Sequence, residues 1–141
     1  MPGADDQDVR IVTAIAGLLA VVAYADREYS QDERARIRAD LARLHTLPPE
    51  GVDAICHLVD RAIVELGTAN SQNYTRDLRE LVEVELRREV LDVLVDLAAS
   101  DGEISLSESD LLRRTAASLG LTQDDYNSSQ KRHNDRLSVL K

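Results

Sequence analysis

One pattern of eleven residues occurs twice in this chain, and it constrains the fold more than any other feature. Ala23-Tyr24-Ala25-Asp26-Arg27-Glu28-Tyr29-Ser30-Gln31-Asp32-Glu33 is echoed 75 residues later by Ala98-Ala99-Ser100-Asp101-Gly102-Glu103-Ile104-Ser105-Leu106-Ser107-Glu108. Asp, Glu, Ser and Glu coincide at the four polar positions, and an apolar residue precedes the Ser in both copies. An almost continuous apolar stretch leads into each copy, Ile11 to Ala25 and Val90 to Ser100. A chain of 141 residues makes about one domain. The repeat therefore predicts two similar halves, each built as a buried helix, a sharp corner and an amphipathic helix.

The periodicity supplies the remaining elements. In the first helix, from about Asp8 to Ala25, the apolar residues surround the axis, as expected of a helix buried on most sides. Ser30-x-x-Glu33 reads as a capping box, with the Ser oxygen on the N3 amide and the Glu reaching back. It opens a second helix with Ile37, Leu41 and Leu44 on its inner stripe and Arg34, Arg36, Arg38 and Arg43 on its wetter face. Pro49 starts a third helix and Gly67 ends it. The polar run from Thr68 to Tyr74 reads as the loop between the halves. Thr75 to Ser100 is either one long helix or two that break near Leu86. Ser105-x-x-Glu108 is the second capping box, Gly120 closes the helix it opens, and Thr122-x-x-Asp125 caps a last one, with Leu121 and Tyr126 placed for a hydrophobic staple.

No segment alternates with period two. The expected fold is therefore all-α, a compact bundle of about six to seven helices in two pseudo-symmetric halves, with two buried central helices. Residues 1–7 read as a disordered leader, 8–128 as a single helical domain, and 129–141 as a polar C-terminal tail, either frayed or helical.

Composition narrows the function. The chain has 26 acidic and 17 basic residues, a net charge of −9, and an acidic surface repels phosphate backbones. With four Tyr, no Phe and no Trp it also lacks stacking platforms for single strands, so nucleic acid is not an expected partner. The apolar N-terminal stretch is not read as a signal peptide, because Asp5, Asp6 and Asp8 precede it and the second copy lies in mid-chain. It is also shorter than the roughly 20 residues of a membrane span. Cys56, the single cysteine, falls on an apolar helix face and reads as a small buried hydrophobe.

The corners carry what chemistry there is. Asp26 and Asp101 each end a helix, where a carboxylate meets the negative end of the dipole at a cost of about a few tenths of a kcal/mol. Two readings offset that cost. In the first, each Asp accepts amides from the turn that follows it, and the Ser and Glu residues cap the next helix. In the second, Asp26, Glu28 and Glu33, and likewise Asp101, Glu103 and Glu108, hold a hard divalent cation. Ca²⁺ or Mg²⁺ suits such oxygen donors better than Zn²⁺ does. The spacing is not that of an EF-hand, whose loop has about twelve residues. Gly102 suits the left-handed turn of the second corner. Arg27 in its place adds strain of roughly 1 kcal/mol and a competing cation, so the second corner is the stronger of the two.

Elsewhere the sequence is plain. His45, His57 and His133 have no metal-ligand spacing, and Asp92 and Asp96 read as a solvated helix face. No phosphate loop, nucleophile elbow or Cys/His dyad is present, so the chain does not read as an enzyme.

The doubled corner motif, with Leu119-Gly120-Leu121 before an acidic helix start, resembles the TerB family of tellurite-resistance proteins and the related N-terminal domain of DjlA-type co-chaperones. The resemblance covers roughly residues 9 to 126. It implies a cytoplasmic, all-α, non-enzymatic stress-response module whose acidic corners take part in metal binding. It implies action at the inner membrane face through a protein partner, without insertion into the bilayer. By position it carries the metal role to Asp26, Glu28, Glu33, Asp101, Glu103 and Glu108. The chain departs from the family at Arg27, where the family usually has Gly. The alternative is a metal-free adaptor whose acidic face docks a basic protein. Oligomeric state is not legible from the sequence.

Overall fold

The apolar stretch before the first corner folds as a helix with almost no wet side. In the computed structural model, which describes residues 6–25, 31–44, 47–99 and 106–140, α1 (Asp6–Ala25) buries Ala14, Ile15, Ala16, Leu18, Leu19, Ala20 and Val22. Six further helices are described: α2 (Gln31–Ala42), α3 (Pro49–Thr68), α4 (Ser71–Leu81), α5 (Val84–Ala98), α6 (Leu106–Ser118) and α7 (Gln123–Leu140). No strand occurs among the described residues, so the all-α bundle read from the repeat is the fold.

The two helices that precede the corners form the centre. α1 packs on α3, α4 and α5, and α5 packs on α1, α2, α6 and α7. α5 is buried nearly all round, through Val90, Leu91, Val93, Leu94, Val95, Leu97 and Ala98. Each of these Val and Leu side chains contributes roughly 1.5–3 kcal/mol relative to exposure.

The 75-residue repeat extends well beyond the corner. Shifted by that distance, the start of α2 falls on the start of α6, and the start of α3 falls within one residue of the start of α7. The halves are therefore α1–α2–α3 and α5–α6–α7, with α4 joining them. Each amphipathic helix leans on the central helix of the other half, α2 on α5 and α6 on α1.

Several boundaries differ from expectation. α1 begins at Asp6, two residues before Asp8 and inside the expected leader. The loop between the halves shrinks to Ala69 and Asn70, and Gly67 lies in the last turn of α3 instead of ending it. The reason is local: the Asn70 side chain accepts from the Gln72 amide at 3.0 Å and caps α4, which presents Tyr74, Thr75 and Leu78 inward. The second long segment breaks at Val82 and Glu83, leaving Leu86 buried inside α5. Of the two forms open to the polar tail, the helical one is found: α7 continues through Leu140 and buries Ser129 and His133.

Two contacts fix the joints. Gly17 lies beneath the buried ring of Tyr74, where an added Cβ would stand 2.4 Å from ring carbons, so α1 and α4 approach closely only because position 17 is bare. At the end of α6, Gly120 has φ 76°. The Leu121 amide donates to Ala116 O at 2.9 Å and the Gly120 amide to Ala117 O at 3.0 Å, a Schellman closure. The Thr122/Asp125 capping box forms as read: the Asp125 amide donates to Thr122 Oγ1 at 3.0 Å and the Thr122 amide to Asp125 Oδ2 at 2.9 Å. Those bonds, with Arg88 nearby, hold the Asp125 carboxyl below its usual range.

Candidate functional site

Both acidic corners sit between helices of known placement. The first joins the end of α1 at Ala25 to the start of α2 at Gln31, and the second joins the end of α5 at Ala98 to the start of α6 at Leu106. Asp26, Glu28, Asp101 and Glu103 lie outside the described residues, as do Arg27, Gly102 and Ser30 and Ser105, the serines of the two expected capping boxes. Glu33 occupies the third position of α2, and Glu108 the equivalent position of α6. Glu108 is 9% exposed, an inward placement for an acid in the first turn of a helix. An acid there benefits from the positive end of the dipole. Leu106, two residues earlier, is 78% exposed. Among the described residues no group of three or more His, Cys, Asp and Glu is arranged to hold a metal ion.

The structure gathers a second polar group that the sequence did not single out, where α2, α5 and α7 meet. Asp40 on α2, Asp96 on α5 and His133 on α7 are 6%, 5% and 4% exposed. Arg36, one turn before Asp40, donates from Nε to Asp96 Oδ2 at 2.8 Å and from Nη2 to Asp96 Oδ1 at 3.0 Å. This is the two-pronged fit of a guanidinium to a carboxylate. Arg43 pairs with Asp40 from the more exposed side. His133 Nδ1 lies 3.0 Å from Asp96 Oδ1 without forming a hydrogen bond, and neither ring nitrogen has a hydrogen-bond partner among the described residues. Burial, reinforced by a hydrogen bond and repulsion from Asp96, pushes the Asp40 carboxyl up to about 7, with Arg43 opposing the rise.

Asp92 and Asp96 are therefore not a solvated face. Asp92 accepts from Ser129 Oγ at 2.6 Å and from Arg132 Nη2 at 2.8 Å, so both acids tie α5 to its neighbours. Ser129 is 1% exposed and donates to Asp92 instead of His133, so it is neither reachable nor activated as a nucleophile.

The signal for this cluster was present in the spacing. Asp40 stands three residues after Ile37 and one before Leu41, on the apolar stripe of α2, where a solvated acid does not belong. Tyr126, Ser129 and His133 recur at i, i+3 and i+7 and are all buried. They form an inner face written partly in polar residues, which a search for apolar periodicity passes over.

The family model described as tellurite resistance protein TerB matches residues 12–131. The chain belongs to the TerB family. The match runs from α1 into α7, so both halves and both corners lie within it. Among curated proteins and solved structures, none matches significantly. Arg36, Asp40 and Asp96 fall inside the TerB match, and His133 stands two residues beyond its end. No helix among the described residues is long and apolar enough to cross a membrane.

Proposed function

We propose that this TerB-family chain is a non-enzymatic stress-response module that binds a divalent cation, Ca²⁺ or Mg²⁺ in preference to Zn²⁺, at its acidic corners. Asp101, Glu103 and Glu108 form the stronger site, and Asp26, Glu28 and Glu33 the weaker one beside Arg27. The observation that carries this reading is the inward placement of Glu108 at the start of α6, in a half whose register repeats that of the other. A carboxylate drawn inward at a corner that already carries two more acids suits a hard cation. On the same reading the module works in the cytoplasm and reaches the inner membrane face through a protein partner.

A cation that binds only the folded state raises the melting temperature with concentration. Thermal melts of the whole chain with millimolar Ca²⁺, Mg²⁺ or Zn²⁺ are expected to shift upward. Asp101→Asn should abolish most of the shift and Asp26→Asn less of it. No shift with any of the three ions would reject metal binding. A salt-sensitive complex with a basic protein, weakened by charge reversal at Glu28 or Glu103, would then favour the metal-free adaptor.

A further inference from the structure

α7 stands to the second half as α3 stands to the first, yet the two helices are seated by different chemistry. Aligned on their first residues, Pro49 and Gln123, the buried Val52, Ile55 and Val59 of α3 fall on the buried Tyr126, Ser129 and His133 of α7. Packed aliphatic groups gain by leaving water, whereas a buried polar group mostly exchanges a bond to water for a bond to protein. From Asn127 to Asn134, α7 has no apolar side chain at all.

What seats it instead is a ladder. Arg88 Nε donates to Asp125 Oδ1 at 3.0 Å, Ser129 Oγ donates to Asp92 Oδ1 at 2.6 Å, and His133 Nδ1 stands 3.0 Å from Asp96 Oδ1. Each pair is 37 residues apart and the pairs follow at four-residue steps, so α5 and α7 run parallel and in register. The rungs weaken along the chain. Asp125 is fixed twice, by Arg88 and by its capping box with Thr122. Beside it Tyr126 is buried, its hydroxyl 3.3 Å from Ser109 Oγ on α6. Asp92 is shared by Ser129 and by Arg132, whose side chain is half exposed. At the last rung the imidazole makes no hydrogen bond among the described residues.

We propose that α7 is a releasable strap: from Ser129 onward it lifts off α5 as a unit while the other six helices stay packed, and ionic strength sets how often it does so. Asp125 and Tyr126 keep its first turn tethered. Dissolved salt screens the partly exposed pairs of Arg88 with Asp125 and of Arg132 with Asp92, but it does not screen the aliphatic seat of α3. Segments with few buried apolar contacts are the ones that open locally below the global unfolding limit. When α7 lifts, Asp96 keeps its fork from Arg36 and Asp92 meets water, so the open state buries no unpaired charge.

Native-state hydrogen exchange of the whole chain at constant pH, in about 0.02 M and about 0.5 M NaCl, tests the strap. At low salt the amides of Ser129 to Asn134 are expected to exchange together, about tenfold or more faster than those of Ile55 to Val59 in α3 once corrected for intrinsic rates. High salt should widen that gap about threefold or more. Ser129→Ile combined with His133→Val writes the α3 residues into α7 and should close the gap. Asp92→Asn, which weakens the middle rung and touches nothing in α3, should widen the gap at low salt and blunt its response to high salt. Amides of Ser129 to Asn134 as protected as those of α3 would overturn the strap. So would exchange that rises residue by residue toward the C-terminus, as in simple fraying, or a gap that ignores both salt and Asp92→Asn.

Discussion

Arg36 and Asp96 stand 60 residues apart in the chain and meet through two parallel hydrogen bonds of 2.8 and 3.0 Å. The pair joins α2 of the first half to the central helix of the second, and its acid is 5% exposed. Removing the guanidinium strands that acid in a poorly hydrated place, which costs more than the pair itself contributes. Because Arg36 is about one-third exposed, water offsets part of the loss. Arg36→Leu is expected to lower the unfolding free energy by about 2–3 kcal/mol in urea titrations. Arg36→Lys, which keeps the charge but not the fork, should fall between. Equal stability of Arg36→Leu and wild type would show that the pair does not hold α2.

Asp40 gives the chain a pH dependence of defined sign. Its folded pKa of about 7 lies well above the ordinary 3.8 of an Asp side chain, so the folded state holds a proton that the unfolded chain releases. The resulting stability is fully present below pH 4 and is lost as pH rises toward and through 7. Asp125 works in the opposite sense. Its depressed pKa gives stability that is present above its ordinary value and lost only in more acidic solution, so it does not mask the change between pH 5 and 7. With about 1.4 kcal/mol per pH unit as the ceiling, the wild type should lose about 2 kcal/mol relative to Asp40→Asn between pH 5 and pH 7. Urea unfolding of both chains at the two pH values measures it, and parallel losses would remove Asp40 as the cause.

Gly17 is a prediction about packing alone. An added methyl would lie 2.4 Å from the Tyr74 ring, whose hydroxyl is held by the Leu66 carbonyl at 3.0 Å, so the ring has little freedom to retreat. Ala is the better helix former by about 1 kcal/mol, and an exposed Gly→Ala change would stabilise. Here the overlap should win, with a net loss of about 1–2 kcal/mol in thermal or urea unfolding. Gly17→Ala combined with Tyr74→Leu should recover part of that loss, since the second change removes the obstacle.

How far the sequence could be read depended on whether an element announces itself in apolar residues. α1 and α5 were legible because residues such as Leu18, Leu19, Leu91 and Leu94 surround their axes, and the doubled motif set the relation between halves. The Thr122/Asp125 box and the Gly120 closure were legible because capping chemistry is local. The start of α4 was read at Thr75 instead of Ser71 because Asn70-Ser71-Gln72-Asn73 has loop composition, although Asn70 caps the helix. The Asp40–Asp96–His133 cluster was missed for a different reason: its members come from three helices distant in sequence, and only packing brings them together. The expected corner acids, apart from Glu33 and Glu108, fall outside the described residues.

The C-terminal helix provides the sharpest contrast between composition and structure. Residues 129–141 are polar enough to suggest a tail that contributes nothing, yet Ser129 is 1% and His133 4% exposed. Ser129 reaches Asp92 at 2.6 Å and Arg132 reaches the same acid at 2.8 Å. Ending the chain after Ser128 would uncover the side of α5 that carries Asp92 and Asp96, leaving Asp92 without these partners, Asp96 without His133 beside it, and adjoining apolar surface in water. Such a truncation is expected to cost about 3 kcal/mol or more and to lower the melting temperature by roughly 10 °C or more, as scanning calorimetry would show. Ending it after Asn134 keeps Ser129, Arg132 and His133 and should cost far less. Truncations of equal cost would mean that these contacts do not hold α7 to α5. A chain ending at residue 128 with wild-type stability would return α7 beyond that point to the dispensable tail its composition suggests.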